Sequence, residues 1–154
     1  MVKRRSLGEA ECPVARSLDV IGDWWSLLIV RDAFDGVRRF SEFQKGLGVS
    51  KGILATRLRE LVARGVLETE PVSDDSPYQD YVLTAKGRDL FPLIVALRQW
   101  GEDHCFAPGE RHSALLENKT GQIVGRLEVR SKSGRKLTPS ETTVHKLSAA
   151  RRGK

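Results

Sequence analysis

A chain of 154 residues that is 40% apolar and 30% charged has ordinary globular composition and is long enough to bury a core and carry an appendage. Its net charge of +6 is uneven: residues 1–106 hold 15 basic against 16 acidic side chains, whereas residues 107–154 hold 11 against 4. The longest strongly aliphatic run, Leu27–Val30, is too short to span a bilayer, and no apolar stretch follows Lys3, Arg4 and Arg5, so a soluble cytoplasmic protein with no membrane partner is expected.

From the N-terminus, Val14, Leu18 and Ile21 stand at i, i+4 and i+7, with Pro13 at a first helical position and Gly22 as a stop. Asp23 is placed to cap a second, more apolar helix, "WWSLLIVRDAF", ending near Gly36. Ser41 and Gln44 have capping-box spacing for a short third helix, which Gly46 and Gly48 terminate. In "SKGILATRLRELVARG", residues 50–65, Ser50 reads as an N-cap, and Val49 and Leu54 stand at the spacing of a hydrophobic staple.

That fourth helix carries the most information. Leu54, Leu58 and Leu61 form one stripe with Val62 at its edge, while Gly52, Thr56, Arg59 and Ala63 lie opposite, with Ala55 at the margin. A merely solvated face would be expected to carry many Lys and Glu. Small residues around one forked cation suit close approach by something bulky. Residues 36–65 hold 7 basic against 2 acidic side chains, so a positive patch surrounds this helix. Two helices across a tight turn outline a helix-turn-helix, whose second helix enters the DNA major groove.

Beyond Gly65, "VLETEPV" and "YQDYVL" read as two short strands joined by "SDDSP". "TAKGRDLFPLIVALRQWGEDHCF" then reads as one long helix bent at Pro92. Its apolar positions, Leu90, Phe91, Leu93, Ile94, Leu97 and Trp100, cover more than one stripe, which calls for a partner chain. Further on, Ile123, Leu127 and Val129 alternate with Arg126, Glu128 and Arg130, and a second strand is expected around "TTVHKL". The expected architecture is mainly α with a small β wing, a winged helix-turn-helix, plus a β-rich C-terminal appendage. The segments are a flexible arm at 1–11, a winged-helix DNA-binding and dimerisation domain at 12–106, the appendage at 107–147 and a basic tail at 148–154.

"CPVARSLDVIGDWWSLLIVRDAFDGVRRFSEF", "LATRLRELVARGVLE" and "YVLTAKGRDLFPLIVALRQWG", taken in order, resemble the HxlR-type transcriptional regulators, relatives of the MarR winged-helix group. The resemblance covers roughly residues 10–106 and implies a dimeric bacterial DNA-binding regulator paired through its first and last helices. Val14, Leu18, Leu93, Leu97 and Trp100 are the corresponding candidates for that seam. In several HxlR-like proteins a cysteine at the position of Cys12 senses oxidants or electrophiles, which makes Cys12 a candidate redox sensor. A thiol before a helix start feels the positive end of the dipole, which favours thiolate. A plain cap-region cysteine packed at the seam is the alternative. The family pattern resembles Gly-Gly-Lys-Trp, so Trp25 takes the core aromatic position and Trp24 stands where lysine is usual.

The DNA-binding candidates are Arg38, Arg39, Ser50, Lys51, Gly52, Ala55, Thr56 and Arg59. Arg59 suits guanine O6 and N7, Thr56 a thymine methyl or a base donor, and Ser50 and Lys51 a phosphate at the helix N-terminus. Arg38 and Arg39 suit phosphate clamping. Wings usually offer a basic residue to the minor groove, but here the tip carries Asp74 and Asp75, so no wing contact is assigned. Cys105 is expected to be a buried, inert thiol. No catalytic constellation, metal-ligand spacing or cofactor fingerprint occurs, so no enzyme activity, metal or cofactor is expected. The expected partners are double-stranded DNA, a second copy of the chain and a small-molecule or oxidant effector. The rival reading is a winged-helix protein-interaction module that no longer reads DNA.

Overall fold

The structure, a computed structural model, describes residues 6–147. The first five residues and the expected basic tail lie outside the described residues. The chain divides into two compact units, with the boundary between Ile94 and Val95.

In the first unit, helices α1 (Pro13–Ile21), α2 (Trp24–Phe34), α3 (Phe40–Leu47) and α4 (Lys51–Ala63) precede strands β1 (Leu67–Pro71) and β2 (Gln79–Leu83). The strands pair antiparallel, with Leu67 opposite Leu83 and Glu70 opposite Asp80. A one-turn helix α5 (Ala85–Arg88) and the start of α6 (Phe91–His104) follow. The core consists of Ile29, Val30, Phe43, Val49, Leu54, Leu58, Leu61, Val66 and Leu67, with Ile21 at its edge and Trp25 packed against it. Full burial of each α4 leucine stabilises by about 1.5–3 kcal/mol, so the Leu54–Leu58–Leu61 stripe fixes α4 and turns its opposite side outward.

Local chemistry explains the boundaries. Pro13 opens α1, and Asp23 caps α2 by accepting from the Ser26 backbone N–H at 2.9 Å. The expected capping box in α3 is displaced: Glu42, not Gln44, reaches back, its Oε2 accepting from the N–H groups of Arg39 (3.1 Å) and Arg38 (3.3 Å). Both pairs have the right spacing, but a carboxylate accepts a peptide N–H more strongly than an amide does. Gly48, at φ 64°, lets the chain turn sharply into α4, which Ser50 caps through Ile53 N–H at 3.3 Å.

The single helix bent at Pro92 is corrected to two. The chain breaks between Arg88 and Phe91, and Pro92 sits in the first turn of α6. Lacking an N–H and crowding the carbonyl four residues back, proline belongs where a helix begins. Thr84 seals this junction by donating from Oγ1 to Gly65 O at 2.6 Å and accepting from Gly87 N–H at 3.0 Å.

Residues 6–10 are tied to α1 through Asp19, which accepts from Leu7 N–H at 2.8 Å and Ser6 Oγ at 3.3 Å. Asp19 also pairs with Arg64 of α4 at 3.3 Å.

The second unit comprises the rest of α6 and the chain that follows it. Gln99, buried on α6, donates to Gly125 O at 3.0 Å and accepts from Leu127 N–H at 2.8 Å. The expected β-rich appendage is corrected here. Among the described residues it holds two isolated bridges, Leu116–Ile123 and Arg130–Lys136, and a 3₁₀ turn at Pro139–Glu141, with no strand over "TTVHKL". Gly121 (φ 70°) and Gly134 (φ 89°) supply the left-handed residues of the two turns, and each pairing beyond them is a single bridge. The alternating residues Ile123, Leu127 and Val129 consequently remain exposed. No helix among the described residues is long and apolar enough to cross a membrane.

Candidate nucleic-acid interface

The outward face of α4 carries the residues that the period places there. Lys51, Gly52, Thr56, Arg59 and Ala63 are exposed, and Ala55 is half-buried at the margin. A Cβ added to Gly52 would meet nothing within 4 Å, so no internal packing requires glycine at that position. Thr56 donates from Oγ1 to Gly52 O at 2.9 Å, which holds its hydroxyl against the helix.

Two arginines on α4 have opposite fates. Arg57 is spent internally: Nη1 lies 2.8 Å from Glu60 Oε2 and Nε lies 3.3 Å from Asp23 Oδ1. Arg59 is exposed and has no carboxylate partner among the described residues. It borders a shallow groove of about 280 Å³ with Phe40, Ala55, Val62, Thr69 and Tyr81.

Arg38 and Arg39 are both exposed at the entrance to α3. Glu42 takes up their backbone N–H groups, and these bonds, Arg39's first, hold its carboxyl below the usual carboxylate range. The Arg38 carbonyl accepts from Tyr81 N–H on β2 at 2.8 Å, and Arg39 Nε lies 3.7 Å from Asp80 Oδ1 on the same strand. The basic pair is therefore joined to the wing's inner strand. Asp74 and Asp75 are exposed at the tip, which a Ser76 N–H to Ser73 O bond of 3.1 Å closes.

Cys12 is exposed at the N-cap of α1, where it makes no side-chain capping bond. Cys105 is exposed as well, against the expectation of a buried thiol, because α6 ends at His104 and leaves it just beyond the last turn. Val14 and Leu18 on α1, and Leu93, Leu97 and Trp100 on α6, are exposed apolar side chains. Trp24 is 72% exposed, while Trp25 packs against the core. Among the described residues, no group of three or more His, Cys, Asp or Glu side chains is placed to hold a metal ion.

Sequence reasoning missed Arg57, Asp80 and Glu42. Arg57 and Glu60 carry a readable i, i+3 signal, as do Arg39 and Glu42, but Asp80 meets Arg39 only through the strand register.

Residues 20–108 match the HxlR-like helix-turn-helix family. The chain belongs to that family. One relative, an uncharacterized HTH-type transcriptional regulator of Mycobacterium tuberculosis (strain CDC 1551 / Oshkosh), is 37% identical over 130 residues, covering 84% of this chain and 82% of its own. PA1607, a candidate transcription factor solved by crystallography, is 57% identical with a TM-score of 0.86, covering 90% of this chain and 96% of its own. That match runs beyond the family region. The redox regulator HypR in its reduced form is 35% identical with a TM-score of 0.57, covering 61% of this chain and 94% of its own. The HxlR-like fold is thus a transcription regulator's helix-turn-helix, with α3 and α4 as its two helices and β1–β2 as its wing.

Proposed function

We propose that this HxlR-like chain is a sequence-specific transcriptional regulator that binds a pseudo-palindromic operator as a homodimer. The reading rests chiefly on the contrast along α4. Its neighbouring cation is consumed by Asp23 and Glu60, yet among the described residues no carboxylate pairs with Arg59, which stands on a face of small residues. In the major groove Arg59 bonds guanine O6 and N7, Thr56 meets a thymine methyl, and Gly52 and Ala55 allow the backbone close to base edges. Ser50, Lys51, Arg38 and Arg39 engage phosphates and fix the register. Val14, Leu18, Leu93, Leu97 and Trp100 bury their exposed surface against a second copy, which sets two α4 helices about one DNA turn apart.

DNA affinity is switched at the dimer seam by thiol modification of Cys12 or by a small ligand. Exposure of Cys12 at the start of α1 and the likeness to HypR, a redox regulator, support this reading. Spacing between half-sites is strict, so a small rotation at the seam is enough to spoil simultaneous docking.

The deciding experiment is selection from a random duplex library at near-physiological salt. Enrichment of an inverted repeat, lost with Leu97→Glu alongside a change from dimer to monomer mass, is the expected result. The acidic wing tip favours one rival, a winged-helix module that binds protein rather than DNA. That rival takes over if no sequence is enriched, or if Arg59→Ala leaves the binding unaltered.

A further inference from the structure

The wing of this chain is built unlike a minor-groove reader. Its tip presents Asp74 and Asp75, both exposed, and phosphate repels both. Its inner strand, by contrast, is engaged with the basic pair. Tyr81 N–H on β2 donates to Arg38 O at 2.8 Å, which holds the backbone before α3 alongside the strand. One residue earlier, Asp80 faces Arg39, with Oδ1 3.7 Å from Nε. Asp80 Oδ1 is shielded from water and has no hydrogen-bond partner, so Arg39 is the cation that compensates it. Arg39 itself remains more than half exposed, at 55% of its side chain.

We infer that Asp80 is a positioning residue for DNA binding, and that the wing acts as a brace for the Arg38–Arg39 pair rather than through its tip. This rests on the reading of Arg39 as a phosphate clamp. The geometry divides the guanidinium. Nε lies 3.7 Å from Asp80 Oδ1, an ion-pair contact rather than a hydrogen bond. Among the described residues no group accepts from either Nη, which leaves both to donate to a phosphate. An arginine drawn toward a fixed carboxylate samples fewer rotamers and so loses less freedom when it docks, which strengthens binding. The carboxylate also draws on Arg39 without leaving the side chain buried, so the cation keeps its access to the duplex.

The test uses the full chain and a duplex recovered by the library selection. Asp80→Asn, Arg39→Ala and the double variant are titrated, with melting temperatures recorded for each. Immobilising one flexible side chain on binding costs about 0.5–1.5 kcal/mol, so Asp80→Asn is expected to weaken binding about two- to tenfold. In the Arg39→Ala background the same change is expected to have no effect, because nothing remains to be positioned. A merely structural Asp80 would weaken both backgrounds equally, and that result overturns the inference. Tighter binding by Asp80→Asn overturns it too, since Asp80 would then compete with phosphate. Should Asp80→Asn fail to fold, Asp80→Glu retains the charge but displaces the guanidinium, and unchanged affinity there rejects the brace. If the wild-type chain binds duplex and Asp80→Asn binds as well, the brace fails while the DNA reading stands. If the wild-type chain binds no duplex, both are overturned.

Discussion

Arg57 of α4 reaches Asp23, the residue that caps α2, with Nε 3.3 Å from Oδ1. Asp23 thereby does two jobs, because the same carboxylate also accepts from Ser26 N–H at 2.9 Å. The second helix of the helix-turn-helix is tied to the start of α2 by one guanidinium. Arg57→Ala is expected to lower stability by about 1–2 kcal/mol, since it breaks one charge-assisted bond, to Glu60, and removes the cation beside the half-buried Asp23 carboxylate. Arg59→Ala, which breaks no ion pair among the described residues, is expected to stay within about 0.5 kcal/mol of the parent. Urea unfolding of the three proteins measures both. An Arg59→Ala loss matching that of Arg57→Ala would make Arg59 a structural residue.

Arg59 and Lys51 separate in DNA binding. Arg59→Ala is expected to cost about 1–3 kcal/mol on the selected operator and to relax the preference at one base pair of each half-site. Lys51→Ala is expected to weaken all sequences alike and to reduce the salt slope by about one unit per protomer. Titrations at several salt concentrations, on the operator and on a scrambled duplex, distinguish the two behaviours. Equal losses on both duplexes for Arg59→Ala would reduce it to a phosphate contact.

Asp19 gives a pH dependence with a defined sign. The Leu7 N–H bond does most to hold its carboxyl below the ordinary value; desolvation opposes it, and the bonds from Arg64 and Ser6 add to the lowering. A depressed folded-state pKa contributes stability that is fully present above the unfolded value, near the usual carboxylate range, and is lost as pH falls through the folded one. Asp19→Asn is therefore expected to be less stable than the parent at pH 7. The gap should close on acidification below the ordinary range. Denaturation midpoints across that window check this, and a gap that persists in acid would mean that Asp19 acts through geometry instead of charge.

The sequence made α4 legible because both of its faces follow from one period. Leu54, Leu58 and Leu61 are buried, and Gly52, Thr56 and Arg59 are exposed, as that spacing requires. The caps Asp23 and Ser50 were readable because they act within three residues. What escaped depends on long separations: Asp80 meets Arg39 across 41 residues, and Arg64 meets Asp19 across 45. Neither spacing has a period to betray it. The appendage misled for a different reason. Alternation at Ile123, Leu127 and Val129 suits a strand but does not make one: the segment forms only isolated bridges, and all three side chains stay exposed with no apolar layer against them.

Both cysteines are exposed, so oxidant sensitivity alone cannot identify the sensor. The proposed switch assigns it to Cys12, which begins α1, and makes Cys105 a bystander beyond the end of α6. Treatment with a thiol oxidant or a quinone is expected to lower operator affinity in the parent and in Cys105→Ser. Cys12→Ser should be indifferent. If only Cys105→Ser loses the response, the thiol chemistry moves to the end of α6. If neither variant responds differently from the parent, the thiol switch falls.

Two glycines make the sharpest contrast between internal and external demands on space. At Gly87 an added Cβ would lie 2.1 Å from Val66 O and 3.0 Å from a Leu83 methyl. Gly87→Ala is therefore expected to destabilise by about 1–3 kcal/mol, despite the better helix propensity of alanine. At Gly52 the same atom meets nothing within 4 Å. Alanine there should stabilise α4 by about 0.5–1 kcal/mol, because glycine loses the most backbone freedom in a helix. If the fold alone had chosen residue 52, glycine would be the poorer choice. On the DNA reading the missing methyl leaves room for the duplex, so Gly52→Leu should retain or raise the melting temperature while weakening operator binding. Gly52→Leu that binds as tightly as the parent would remove the case for close approach at the start of α4, leaving Arg59 as the main support for base contact.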